Sequence, residues 1–201
     1  MKALPNLLTG LRLALALLVF FALAAAAGDA PYLSVSGAAV LALQRWALAA
    51  FVVAAVTDFF DGWLARRLDA ASAWGAILDP IADKVLVCAG VLGLMAVAAS
   101  PAVVIPAGLI LFREFTVSAL REATAGRISL PVTLLAKWKT TLQLVALAAE
   151  LALVAWRGLV DPGAALAAAW LAHALLWLAA AVTLITGAQY LWQARKALAG
   201  H

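Results

Sequence analysis

The 201-residue chain is 67% hydrophobic, has a mean hydropathy of +1.07 and carries a formal charge of +4. So apolar a composition excludes an ordinary water-soluble domain, and abundant Ala and Leu with little strict alternation favours helices over a barrel, giving an all-α integral membrane protein. A single cysteine, Cys88 inside an apolar run, excludes an internal disulfide and a thiolate metal centre and is read as a small buried apolar residue.

Six transmembrane helices are predicted, at roughly 7–27, 38–58, 75–98, 101–120, 138–157 and 166–192, as one catalytic domain over 1–201. The first span begins near Lys2 and ends on Ala24-Ala25-Ala26-Ala27, a pattern shared with export signals. Pro5, Asn6, Thr9 and Arg12 interrupt it in a way such a signal does not require, and five spans follow, so it is read as a membrane helix. Gly28-Asp29-Ala30-Pro31 makes a short outer turn, and residues 59–74 are expected to form the first cytoplasmic connection. Ser100-Pro101 is a tight turn that makes spans three and four antiparallel neighbours. Residues 113–139 are the longest polar stretch, with five basic and two acidic side chains, and Arg157 to Gly163 is the last outer turn.

With the N-terminus inside, twelve basic residues lie on or near the cytoplasmic side and only Arg45 and Arg157 lie outside. The charge follows topology and needs no nucleic-acid partner. Trp63, Trp74, Trp138 and Trp192 near the inner edges, with Trp46, Trp156 and Trp170 near the outer ones, read as interfacial anchors.

Four of the ten acidic residues stand in one frame: Asp58-x-x-Asp61-Gly62-x-x-Ala65-Arg66, then Gly75-x-x-x-Asp79-x-x-x-Asp83. A carboxylate beside hydrocarbon is costly unless something neutralises it, and four together require a cation. Residues three or four apart on a helix share a face, so Asp58 pairs with Asp61 and Asp79 with Asp83. With spans two and three neighbours across a short connection, the pairs face each other and can hold one or two divalent cations. Oxygen ligands without His or Cys point to Mg²⁺ or Mn²⁺, which keep open positions for phosphates. Gly62 and Ala65 remove bulk that would keep a phosphate or nucleotide from the backbone, Gly75 does so opposite or allows close helix packing, and Arg66 offers a fork suited to phosphate. Pro80 is expected to kink or loosen the start of span three. A cation transporter would use the same carboxylates, but their place near the inner edge rather than the midplane argues against transport.

At every defining position this frame resembles the signature of the CDP-alcohol phosphatidyltransferases. Pro5-Asn6-Leu7-Leu8-Thr9-x-x-Arg12 is similar to that family's first-helix motif. The resemblance implies a six-helix fold in the bacterial plasma membrane, usually homodimeric, with its active site facing the cytoplasm. It implies transfer of a phosphatidyl group from CDP-diacylglycerol to an alcohol with release of CMP. Asp58, Asp61 and Asp79 would ligate two Mg²⁺ or Mn²⁺ ions, with Asp83 completing the second site and acting as general base. Asn6, Thr9, Gly62, Ala65, Arg66, Ser72 and Gly75 would line the CDP-diacylglycerol site. The first-helix motif begins almost at residue 1, so the longer juxtamembrane helix of some relatives is expected to be absent.

For the acceptor, Arg113, Arg121, Lys137 and Lys139 at the inner ends of spans four and five are placed to meet one doubly charged phosphate, although positive-inside topology alone would also put them there. Their segments, with Leu78-Asp79-Pro80-x-Ala82-Asp83-Lys84, resemble the bacterial phosphatidylglycerophosphate synthases. That branch implies sn-glycerol 3-phosphate as acceptor; an inositol phosphate would also want the basic cluster. Glu150 and His173, toward the outer half, are expected to hydrogen-bond a neighbouring helix, and Asp69 to be a solvated charge.

Overall fold

The computed structural model describes residues 3–28, 36–68, 73–123 and 134–199, with side chains for 7–28, 36–58, 78–123 and 138–196. Six helices follow one another: α1 Ala3–Ala26, α2 Gly37–Leu68, α3 Ala73–Val97, α4 Pro101–Ala123, α5 Leu134–Ala155 and α6 Pro162–Ala199. Each contains a stretch long and apolar enough to cross a membrane. A helix satisfies its own backbone polar groups within one segment, which is what hydrocarbon demands.

The turns carry local signals that explain where helices stop and start. Gly28 and Gly158 adopt φ of 79° and 80° just past α1 and α5, the left-handed conformation that favours glycine after a helix. Pro101 and Pro162 occupy the first position of α4 and α6, where no backbone N–H is needed. Asp161 Oδ2 accepts from the Gly163 and Ala164 amides at 3.0 and 3.3 Å, capping α6. At the end of α5, Arg45 Nε donates to the Ala155 carbonyl at 3.3 Å, tying the start of α2 to the same end of the bundle.

Helix ends and span ends differ. Residues 59–68, expected as part of a connection, continue α2, because Trp63-Leu64-Ala65-Arg66-Arg67-Leu68 contains good helix formers and polarity marks only the exit from hydrocarbon. Similarly α6 runs for 38 residues, past both limits of the predicted span. Pro80 lies inside α3, which continues through it.

Packing corrects the expectation that α2 and α3 lie side by side. Instead α1 packs along both of them, while α2 and α3 touch only slightly; α6 packs on α4 and α5, α5 joins the halves through α2 and α3, and α3 meets α4 as the tight turn at Ser100-Pro101 led one to expect. The core between them is alanine with larger residues interleaved, including Val19 and Leu23 of α1, Phe51 of α2, Leu86 and Leu94 of α3, Ile110 of α4 and Leu147 of α5. Glycine permits the tightest approaches. A Cβ on Gly93 would stand 2.5 Å from Leu23 Cδ1, and one on Gly90 would stand 2.8 Å from the Phe51 ring. The central position of α1 brings its polar residues to the aspartates.

Candidate active site

Asp58 on α2, and Asp79 and Asp83 on α3, gather at one end of the bundle around two side chains of α1. Arg12 Nη1 lies 2.9 Å from Asp58 Oδ1 and 3.0 Å from Asp83 Oδ1. Thr9 donates its hydroxyl to Asp79 Oδ1 at 2.6 Å. One face of α1 supplies both, since residues three apart lie one above the other. Burial is asymmetric: the Arg12 side chain is 1% exposed, whereas Asp58 and Asp83 are 35% and 43% exposed. A buried cation thus holds two accessible carboxylates side by side. Asp83 also lies within electrostatic range of both Asp58 and Asp79, so three carboxyl groups share the site.

Arg12 stood in the sequence as one letter of the first-helix motif, with no role assigned. Its partners lie 46 and 71 residues away, beyond the reach of any local spacing rule. Thr9, expected near the nucleotide, is placed on a carboxylate. Asp61, Gly62, Ala65 and Arg66 lie on α2, and Gly75 on α3; their side chains, with those of Asn6 and Lys137, are outside the described set, and Ser72 is outside the described residues altogether.

Whether the donors suit a metal can be judged on their chemistry. Among the described residues no group of three carboxylates, imidazoles or thiols is assembled tightly enough to hold an ion alone. The three described aspartates offer hard oxygens from two helices, their contacts with Arg12 and Thr9 use Oδ1 of each, and Asp58 and Asp83 stay open to solvent. Such a set fits Mg²⁺ or Mn²⁺ and not a thiophilic ion.

A second polar cluster joins α4, α5 and α6. Glu114 Oε1 takes an ion pair from Lys139 Nζ, another from Arg113 Nη1 at 3.1 Å, and a hydrogen bond from Gln143 Nε2 at 3.3 Å. Arg113 also donates from Nε to the Thr183 carbonyl at 3.1 Å and from Nη2 to Thr186 Oγ1 at 3.2 Å, while Gln143 donates to Thr183 Oγ1 at 2.9 Å. Arg121 sits 5.7 Å from the Tyr190 ring centroid, within cation–π range, and close enough to Arg113 and Lys139 for its charge to act on both. Three of the four basic residues singled out in the sequence therefore converge. Glu114, the shared counter-ion of Arg113 and Lys139, was given no role in the sequence.

At the other end of the bundle His173 Nδ1 and Glu150 Oε1 meet at 2.7 Å across α5 and α6, the interhelical hydrogen bond expected of them.

Known proteins resemble this chain along its length. The family description CDP-alcohol phosphatidyltransferase matches residues 2–185. A protein of Cereibacter sphaeroides, named CDP-diacylglycerol–glycerol-3-phosphate 3-phosphatidyltransferase, is 39% identical over 233 aligned positions, spanning 98% of this chain and 96% of its own. Proteins of the same name from Rickettsia bellii and Escherichia coli K12 are 41% and 42% identical, covering 73% and 74% of this chain and 77% and 78% of theirs. With the aspartates of α2 and α3 gathered around α1 and this match to nearly all of its length, the chain belongs to the CDP-alcohol phosphatidyltransferase family.

Proposed function

We propose that the chain transfers the phosphatidyl group of CDP-diacylglycerol to sn-glycerol 3-phosphate, releasing CMP and forming phosphatidylglycerophosphate. The observation that carries this reading is the convergence of Asp58 and Asp83 on Arg12 and of Asp79 on Thr9, at the same end of the helices as the Arg113–Glu114–Lys139 cluster. The relatives' shared name supports the choice of acceptor.

In the reaction the acceptor hydroxyl oxygen forms a bond to the phosphorus that bears diacylglycerol. The bond from that phosphorus to the CMP oxygen breaks, and the hydroxyl proton passes to Asp83. Arg12 orients the Asp83 carboxylate and keeps Asp58 beside it, so the base is positioned before substrate arrives. Arg113, Arg121 and Lys139, with Lys137 on the same helix as Lys139, supply positive charge for the acceptor's phosphate. A neutral alcohol would not need them. Bound by Asp58, Asp61, Asp79 and Asp83, Mg²⁺ or Mn²⁺ would offset the charge of the pyrophosphate and of the leaving CMP. We place the aspartate end in the cytoplasm, on the distribution of basic residues, and the enzyme in a bacterial plasma membrane as a homodimer.

The test supplies purified protein with CDP-diacylglycerol, Mg²⁺ and one acceptor at a time, reading CMP release and the lipid formed. Glycerol 3-phosphate is expected to exceed inositol phosphate, serine and free glycerol by at least about 100-fold, since a site built around a charged group rejects analogues lacking it. EDTA and Asp83→Asn are each expected to abolish release from folded protein. Release with no acceptor preference would remove the assignment of glycerol 3-phosphate, and near-normal release by Asp83→Asn would remove Asp83 as base.

A further inference from the structure

A cavity of about 820 Å³ opens at the end of the bundle opposite the aspartates, between the α3–α4 turn, the end of α5 and the start of α6. That is the size of a small-molecule site. Its wall is mostly alanine, valine and leucine, among them Ala168, Ala169 and Ala172, so it is largely apolar. Besides Ser100 at the α3–α4 turn, two charged or titratable features interrupt it. Glu150, 2% exposed, is held by His173 Nδ1 at 2.7 Å, which leaves the second ring nitrogen of His173 as the atom to meet an occupant. Arg157 lines the cavity from the α5–α6 turn and is exposed.

Arg45 is spent on the Ala155 carbonyl, Asp161 caps α6 and Glu150 holds His173. Among the described residues no carboxylate pairs with the Arg157 guanidinium. Arg157 is seven residues after Glu150, about 10 Å further toward the bundle end at helical rise. A cation at the rim, a hydrogen-bonding imidazole below it and an apolar hollow reproduce in order the phosphate, ester and acyl regions of a phospholipid.

We propose that this cavity binds an anionic phospholipid of the leaflet opposite the aspartate end, with its phosphate on Arg157, its glycerol esters beside His173 and an acyl chain along the alanine wall. A net negative headgroup is favoured because Arg157 has charge to give and, among the described residues, no acidic side chain lines the rim beside it to hold a headgroup cation, although Trp156 offers an aromatic face there. The site lies away from the chemistry, so it serves the lipid environment of the enzyme rather than turnover.

The test offers detergent-purified full-length protein an equimolar mixture of phosphatidylglycerol and phosphatidylcholine with matched chains, and reads retained lipid by native mass spectrometry. A diazirine-tailed phosphatidylglycerol maps the position. Wild type is expected to retain phosphatidylglycerol about tenfold over phosphatidylcholine, the worth of one good charged contact, with crosslinks in residues 149–175. Arg157→Gln, on the surface, should bring the ratio within about twofold while CMP release stays unchanged. Ala169→Phe should abolish retention and crosslinking there. Equal retention of both lipids by wild type overturns the proposal, as do crosslinks confined to the aspartate end or a second copy of the chain crosslinked across the cavity. None of these readings requires turnover, so their failure is separate from failure of the proposed reaction.

Discussion

Arg12 is unusual in being a fully buried cation that serves two half-exposed acids from different helices. One nitrogen, Nη1, reaches both Asp58 and Asp83, so the guanidinium fixes the separation of α2 and α3 at the reacting end as well as neutralising part of their charge. Lysine would keep the charge but lose the planar fork and the several fixed donors that hold such a geometry. Arg12→Lys is therefore expected to fold, to lower kcat for CMP release by about 100-fold through misplacement of the carboxylates, and to change the KM for glycerol 3-phosphate by less than about threefold. A variant with wild-type kcat would show that Arg12 only stabilises the bundle. Reading the sequence found the four aspartates because their spacing is local and repeated. It could not find the partnership with Arg12, because nothing in residues 5–12 encodes which helix face α1 presents to α3. Glu114 escaped for a related reason: its meaning depends on Lys139 and Gln143, one helix further on.

Helix α1 holds its place through close packing rather than polar contacts alone. Gly93 of α3 accepts Leu23 so closely that an added methyl would stand 2.5 Å from Leu23 Cδ1 and 2.8 Å from its Cβ. The second of these atoms cannot swing away by a rotamer change, so α1 or α3 must shift. Gly93→Ala is expected to cost about 1–3 kcal/mol, the range for overpacking a tight core, and to lower activity, because the same pair of helices positions Thr9 on Asp79. Gly108 of α4 makes the comparison, since an added Cβ there meets nothing within 4 Å. Gly108→Ala should be neutral or stabilising by up to roughly 1 kcal/mol, the helix propensity difference. Unfolding of the two variants in mixed micelles separates these outcomes, and equal behaviour would show that backbone propensity rather than packing decides. Helix number was legible in the sequence from hydropathy, since each apolar stretch has one span. The extent of α2 was not, because hydropathy reports where hydrocarbon ends while Ala, Leu and Arg carry the helix beyond it.

Across the whole molecule the polar groups divide between two ends. Asp83 in α3 and Val97 at its end are fourteen residues apart, which is about 21 Å of helix, and Val97 borders the cavity that holds Glu150 and His173. Hydrophobic helix packing fills the length between them, with Leu86, Val91 and Leu94 all buried. Sites this far apart with no shared partners are expected to contribute independently, within about 0.5 kcal/mol. His173→Ala leaves the Glu150 carboxyl buried without its imidazole and should cost about 1–3 kcal/mol, yet leave kcat within twofold of wild type. Combined with Arg12→Lys, it should lower stability by the sum of the single effects and lower kcat no further than Arg12→Lys alone. The double-mutant cycle is measured by detergent-titrated unfolding and by CMP release on the same preparations. A coupling above about 1 kcal/mol, or a further tenfold loss of kcat in the double variant, would mean that the bundle transmits strain from the Glu150–His173 pair to the aspartates, and the two ends would have to be treated as one cooperative site.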